Sequence, residues 1–174
     1  MYKSKFEAYP FLSDDFDDLR CDFEILSDEI ASYVGFLRSV SEDEGLKDEL
    51  LWICELIYHL NPSLRTKISV TEEELNRLEN IVKSHITYIG EDDIKKFTLP
   101  LGCCSASVSH IIRSKCKALV RLLYRHNHQG NDVENILFDF INLLSDYFFY
   151  LSLTFNKQHS TPEITFTSRN YKVK

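Results

Sequence analysis

Glycine and proline are scarce here, five and four in 174 residues. Sandwiches and barrels need many tight turns, so this shortage excludes most all-β architectures and favours a few long elements. A basic excess is also missing. Twenty Lys and Arg stand against 27 Asp and Glu, a net charge of −7, which argues against a nucleic-acid partner. No apolar run approaches the roughly 18 residues of a membrane span, and Met1 to Ser13 has no leader-like apolar stretch, so no membrane partner is expected. Five cysteines make an odd number without metal-type spacing. Cys103 and Cys104 are adjacent, a poor chelate, and read as reduced thiols of a cytoplasmic protein. Neither G-x-x-x-x-G-K-[ST] nor G-x-G-x-x-G occurs. What is plentiful is apolar residue, 44% of the chain. That suits one globular domain over residues 1–174, with ends at about 1–14 and 167–174 expected to be flexible.

Hydrophobic spacing predicts five helices. From about Asp15 to Val40, Leu19, Phe23, Leu26, Ile30, Val34 and Leu37 recur at three and four, with Asp14 and Asp15 as the N-terminal cap and first-turn acids. Gly35 inside that helix suggests close approach of another helix. A second helix runs from about Asp43 to Leu60 on Leu46, Leu50, Ile53, Ile57 and Leu60, and Pro62 stops it. Thr71-Glu72-Glu73-Glu74 reads as a capping box opening a third, closed by Gly90. After a connector from Glu91 to Gly102, a fourth spans about Ser105 to His126, with Val108, Ile111, Leu119, Leu122 and Leu123 inward. The fifth starts near Asp132 and buries Val133, Leu137, Phe140, Leu144, Tyr147 and Leu151. Ile164-Thr165-Phe166 reads as a short extended piece. Long amphipathic helices with short connections favour an antiparallel bundle.

Two patterns carry possible chemistry. Arg113, Lys117, Arg121 and Arg125 recur every four residues, so they form one cationic stripe whose like charges repel. Such a stripe either presents itself to an anion such as phosphate or is a solvated face with acids of neighbouring helices opposite. Asn142, Ser145 and Asp146 sit beside the core face of the fifth helix, and Asp28 sits beside Ile30 on the first. Polar groups so near a buried seam need partners, whether a ligand or an interhelical bridge. His85 and His110 read as helix-face residues and Cys116 as a small core residue.

At this point the chain resembles a known family. Phe97-Thr98-Leu99-Pro100-Leu101-Gly102 followed by His110-Ile111-Ile112-Arg113-Ser114-Lys115-Cys116-Lys117 is similar to the signature F-V-L-P-G-G … H-V-A-R-T-x-C-R-R-A-E-R of PduO-type ATP:cob(I)alamin adenosyltransferases, at the same Phe-to-Arg spacing. Asn142-Leu143-Leu144-Ser145-Asp146-Tyr147-Phe148-Phe149 resembles N-R-L-S-D-Y-L-F. Ser27-Asp28-Glu29-Ile30-Ala31-Ser32 with Val34-Gly35 resembles V-D-E-L-N-S … I-G, and Pro162-Glu163-Ile164 fits the tail. The likeness covers about residues 16 to 166 in order.

The resemblance implies an all-α, five-helix bundle with ferritin-like up-and-down packing, assembled as a homotrimer with sites between subunits. It implies transfer of the 5′-deoxyadenosyl group of ATP, with magnesium, to the cobalt(I) of a cobalamin or other corrinoid. By the same likeness Phe97 covers the lower corrin face. Arg113 contacts ATP and pairs with Asp28 of a neighbouring subunit, and Lys117 and Arg121 stand where phosphate-binding arginines do. Asn142 and Asp146 are the polar pair near nucleotide and corrinoid. The chain also departs from the pattern. Met1 to Asp18 holds no T-K-T-G-D-x-G-x-T segment, Val120 replaces a glutamate, Lys117 and Leu143 replace arginines, and Leu101 replaces a glycine. A lysine lacks the planar fork of arginine. Three readings follow: a divergent active transferase, an impaired homologue acting as a corrinoid-binding or regulatory subunit beside an intact paralogue, and an interaction bundle keeping only the fold.

Overall fold

The computed structural model describes residues 2–7, 9, 11–90, 94 and 97–170. Five α-helices occur among them: α1 Leu19–Val40, α2 Glu44–Leu60, α3 Glu72–Ile89, α4 Cys104–His128 and α5 Asn135–Gln158. A 3₁₀ turn, Asn61–Leu64, follows α2. The chain ends at 171–174 and much of the connector after Gly90, both addressed by the sequence expectations, lie outside the described residues.

The helix ends follow local chemistry. The capping box of α3 forms as read, Thr71 and Glu74 satisfying each other's backbone N–H groups. Asp43 caps α2 by accepting from Leu46 N–H at 2.9 Å. Two starts differ from expectation. The first helix begins at Leu19, because Asp18 rather than Asp14 or Asp15 accepts from the free N–H of Arg20. Asp18 also pairs with the Arg20 guanidinium, which holds its carboxyl down at about 2. The fifth begins at Asn135 with Glu134 as its extended cap residue, three residues later than read.

Cross-pairs fix the packing. Arg38 Nε donates to Lys47 C=O at 3.0 Å and Asn61 Nδ2 to Glu24 C=O at 2.7 Å, so α2 runs against α1. Lys115 meets Glu29 at 2.6 Å and Gln129 reaches Asp17 C=O at 3.1 Å, so α4 also runs against α1. His85 lies 3.0 Å from Thr154 while Lys157 reaches the carbonyl of Tyr88 at 2.8 Å, so α3 and α5 run together. The helices therefore alternate in direction along the chain. One apolar cluster fills the interior, with Phe23, Phe140, Tyr147 and Phe148 fully buried. Three details correct the sequence reading. Ile111 is exposed and Ile112 takes its inward place. Nothing lies within 4 Å of a Cβ built at Gly35, so no helix of this chain approaches it. The fifth helix is long and apolar enough to cross a membrane, yet 56% of its window is buried inside the bundle, as a core helix would be.

Two buried clusters of polar groups are partnered between elements. His85 also meets Glu49 at 3.0 Å, and Tyr147 donates to the same carboxylate at 2.8 Å. At the opposite end, Glu24 is 4% exposed and accepts two hydrogen bonds from Arg65, at 2.9 and 3.0 Å, and one from Tyr9 at 2.6 Å. Arg65 also binds Asp14 at 3.1 Å and stacks on Phe11 at 3.6 Å, which ties the segment before α1 onto the bundle. Removing the cation leaves a buried carboxylate unpaired. Arg65→Met is expected to lower unfolding stability by roughly 3 kcal/mol. Urea denaturation reads it, and an unchanged midpoint would show that Glu24 is solvated well enough without its partner.

Candidate active site

Two elements build the site. Arg113 lies 5.6 Å from the Phe149 ring, Lys117 is close enough to act electrostatically on Asp146, and Tyr124 meets Phe138 at 4.7 Å. As numbers rise on α4 they fall on α5, so the two helices are antiparallel. Arg121 and Asn142 then share a register one turn beyond Lys117 and Asp146. The third element is the connector before α4. Thr98 bridges Thr165, Leu99 N–H donates to Ile164 C=O at 2.9 Å, and Phe166 N–H donates to Phe97 C=O at 2.8 Å. This short pairing, which realises the expected extended piece, brings Phe97 beside the helices.

A cleft of about 340 Å³ lies between these parts. Phe97, Arg113, Lys117 and Asp146 all line it, with Ser145 and Phe149. The structure thus gathers four of the seven expected site residues. Phe97 is 73% exposed and touches Phe166 ring to ring at 5.7 Å, an aromatic surface offered outward. Asn142 is exposed, its amide held by Phe138 C=O at 2.8 Å, and Arg121 is exposed. Asp28 is the one placed apart. It lies on the outer side of α1, where Tyr58 donates to it at 2.9 Å, in a separate 410 Å³ hollow.

The electrostatics favour an anion. Among the described residues, none of Arg113, Lys117, Arg121 and Arg125 forms an ion pair, whereas Lys115, off the stripe, pairs with Glu29. Of the two readings of the stripe, the one with acids of neighbouring helices pairing to it finds no such ion pair among the described residues. Arg113 is half-buried and its Nε has no partner, so burial lowers its pKa. Thr98 Oγ1, on the opposite wall, is likewise buried without a partner. Orphaned buried polar atoms facing one cleft are what a polar ligand resolves. Burial raises the Asp146 pKa, and Lys117 partly offsets this. At the replaced family positions, Val120 packs in the core and Leu101 is exposed.

Sequence reasoning missed Thr98, Phe149 and Phe166 as cleft walls. Their sequence signal was weak, since each reads as an ordinary apolar or β-prone residue.

With this geometry in place, likeness to known proteins can be weighed. The sequence model for cobalamin adenosyltransferase matches residues 17–155, and the chain belongs to that family. The corrinoid adenosyltransferase of Bacillus subtilis (strain 168) is 27% identical over 161 residues, covering 87% of this chain and 82% of that protein. Among solved structures, a phenylalanine-to-histidine variant of the PduO-type ATP:corrinoid adenosyltransferase from Lactobacillus reuteri, complexed with cobalamin and ATP, superimposes with a TM-score of 0.78 at 25% identity, covering 90% of this chain and 87% of that one. An arginine-to-lysine variant of the Lactobacillus reuteri enzyme, complexed with ATP, gives 0.76 at 25% identity over 86% and 88%.

One neighbour of the cleft titrates. His110 is 5% exposed and neither ring nitrogen has a partner. Burial first, and the Arg113 cation second, push its pKa down from 6.5 to about 4. The unfolded chain therefore takes up a proton below about pH 6.5 that the folded chain refuses until about pH 4. Stability from this group is complete above pH 6.5 and falls as pH drops toward 4, by at most about 3 kcal/mol. His110→Leu is expected to flatten the decline over this window in urea titrations at several pH values. Parallel curves for parent and variant would assign the acid sensitivity elsewhere.

Proposed function

We propose that the protein is an ATP:corrinoid adenosyltransferase, and that the cleft between α4, α5 and the Phe97 connector is its site. The observation that carries this is the convergence of an outward-facing aromatic with unpaired cations in one cleft, in a chain of this family. The reaction forms a bond between the corrinoid cobalt and C5′ of ATP, breaks the C5′–O5′ bond, and releases triphosphate carrying the bonding pair. The reduced corrinoid supplies the nucleophile, so the chain need supply none.

Its side chains then have positioning and electrostatic tasks. Arg113 has lost part of its hydration and contacts the nucleotide. Lys117 and Arg121, each one turn further on, neutralise phosphate charge that grows as triphosphate leaves. Phe97 presents its ring to the lower corrin face and excludes an axial ligand there. Asp146 and Asn142 accept and donate hydrogen bonds at the cleft edge. Magnesium arrives with the triphosphate, held through phosphate oxygens. Lys117 and Val120 remain departures from the family pattern, but no observation favours an impaired protein over an active one.

We read the working form as a cytoplasmic homotrimer with sites between subunits. In it Asp28 reaches Arg113 of the neighbour. Tyr58 holds one Asp28 oxygen and leaves the other for that cation. Asp28→Ala is expected to weaken assembly, visible as a lower sedimentation coefficient at micromolar concentration. An unchanged coefficient counts against a cross-subunit pair.

Activity is tested anaerobically with ATP, magnesium and chemically reduced cob(I)alamin, following the cobalt absorbance change. Turnover is expected. Phe97→Ala should reduce it by roughly 100-fold, about 2.7 kcal/mol of barrier, without changing the oligomer. Equal turnover in parent and variant sinks the role given to Phe97. A folded, oligomeric parent without turnover sinks the transferase reading itself.

A further inference from the structure

From Phe97 to Gly102, the described stretch of the connector forms no helix, and its one bridge is to the tail. Two backbone hydrogen bonds join it to the tail, and so short a pairing is not stable by itself in water. Something else must seat it, and one side chain at the end of α5 touches every piece involved.

Asn156 is 1% exposed. A buried amide has one acceptor and two donor hydrogens to satisfy. Here Oδ1 accepts from Cys103 N–H at 3.0 Å. Nδ2 donates to Leu101 C=O at 3.0 Å and to Glu163 Oε1 at 2.7 Å. The backbone carbonyl of Asn156 accepts from Thr161 N–H at 2.8 Å as well. Connector, start of α4 and tail are joined at this one residue. Gly102 lies against the amide at φ +143°, and a Cβ there would overlap the Asn156 side chain. The fit therefore requires glycine at 102 both for conformation and for room.

The geometry of these contacts bears on the site. Leu101 lies two residues after Leu99, and Glu163 immediately precedes Ile164, whose carbonyl receives the Leu99 N–H. Asn156 thus grips both strands of the small pairing at the same end, and Phe97 sits at the other. Cys103, the cap residue of α4, offers no side-chain bond to its helix. Its N–H is fixed by Asn156, so the same amide sets where α4 begins relative to the connector.

We propose that Asn156 is a positioning residue for the transfer, setting where the Phe97 ring stands over the α4–α5 cleft and acting on the corrinoid only through that ring. This rests on the transferase reading above.

The test compares the parent with Asn156→Ala, Phe97→Ala and the double variant. Amide hydrogen exchange is read first, because it does not depend on any activity. In Asn156→Ala the amides of Leu99 and Phe166 are expected to lose protection while those of α1, α2 and α3 keep theirs. The value of kcat is expected to fall by roughly 10- to 100-fold, the scale of a small misplacement, with the KM for ATP within about twofold. The double variant is expected to be no slower than Phe97→Ala alone, since coupled residues are not additive. Retained protection at both amides overturns the proposal, and so does a double variant slower by the product of the single effects. If Asn156→Ala does not fold, Glu163→Ala removes one arm of the clamp and should give the same selective loss at Phe166 with a smaller fall in kcat. Unchanged exchange there overturns the proposal equally. A parent without turnover sinks the transferase reading instead, and exchange alone then decides whether the clamp exists.

Discussion

The antiparallel seam between α4 and α5 is the constraint on which the rest of the structure depends. On α4, Ile112, Cys116, Leu119 and Leu123 are buried in the core shared with α5, a helix that is apolar around most of its circumference. That register dictates which polar residues meet at its edge. Arg113 falls beside Phe149 and Lys117 near Asp146, because those residues lie one position off the buried rows. Chemistry at the edge is a by-product of packing in the middle, which is how a helical bundle holds a site rigidly without dedicated loops.

Charge gives the same conclusion by a different route. In an acidic chain, four cations at intervals of four on one helix face cost a few tenths of a kcal/mol for each neighbouring pair. Acids are abundant enough to neutralise them, and Lys115 on the same helix has Glu29. Among the described residues the stripe has no ion-pair partner, and Arg113 Nε is buried without a partner. A partner outside the described chain accounts for that cost more simply than a solvated face does. In the trimer proposed above, phosphate and a second subunit's Asp28 both have the right chemistry.

Much of the fold was legible because helices announce themselves. Steps of three and four, and Thr71 with Glu74, each have a local physical meaning that tertiary structure left intact, whereas α2 ends at Leu60 with Asn61 still helical (φ −50°, ψ −50°) and Pro62 inside a 3₁₀ turn rather than forcing an extended residue before it. Boundaries failed where several acids competed: Asp14, Asp15, Asp17 and Asp18 are all plausible caps, and only the free N–H of Arg20 chooses among them. Ile111 failed because it adjoins the equally apolar Ile112, and periodicity alone does not say which one faces inward. At the site, the charged residues were readable from spacing and from the family resemblance. Thr98, Phe166 and Asn156 were not, because their roles arise from contacts between segments some 50 to 70 residues apart.

This difference in legibility says something about how such a site diverges. Residues that act through their own charge, such as Lys117 beside Asp146, occupy an exposed edge where substitution disturbs no packing. Residues that act through geometry are locked in. Asn156 uses its Oδ1 and both Nδ2 hydrogens and is pressed against Gly102, so changing either disturbs the connector, the tail and the start of α4 together. In the proposed site, substitution along the cation edge is therefore better tolerated by packing than substitution at the Phe97 support. The cations can be retuned one at a time, each within a fraction of a kcal/mol to about 1 kcal/mol of stability. The seat of the aromatic ring cannot, because Asn156 itself is buried and its three side-chain partners lie on the connector, the start of α4 and the tail.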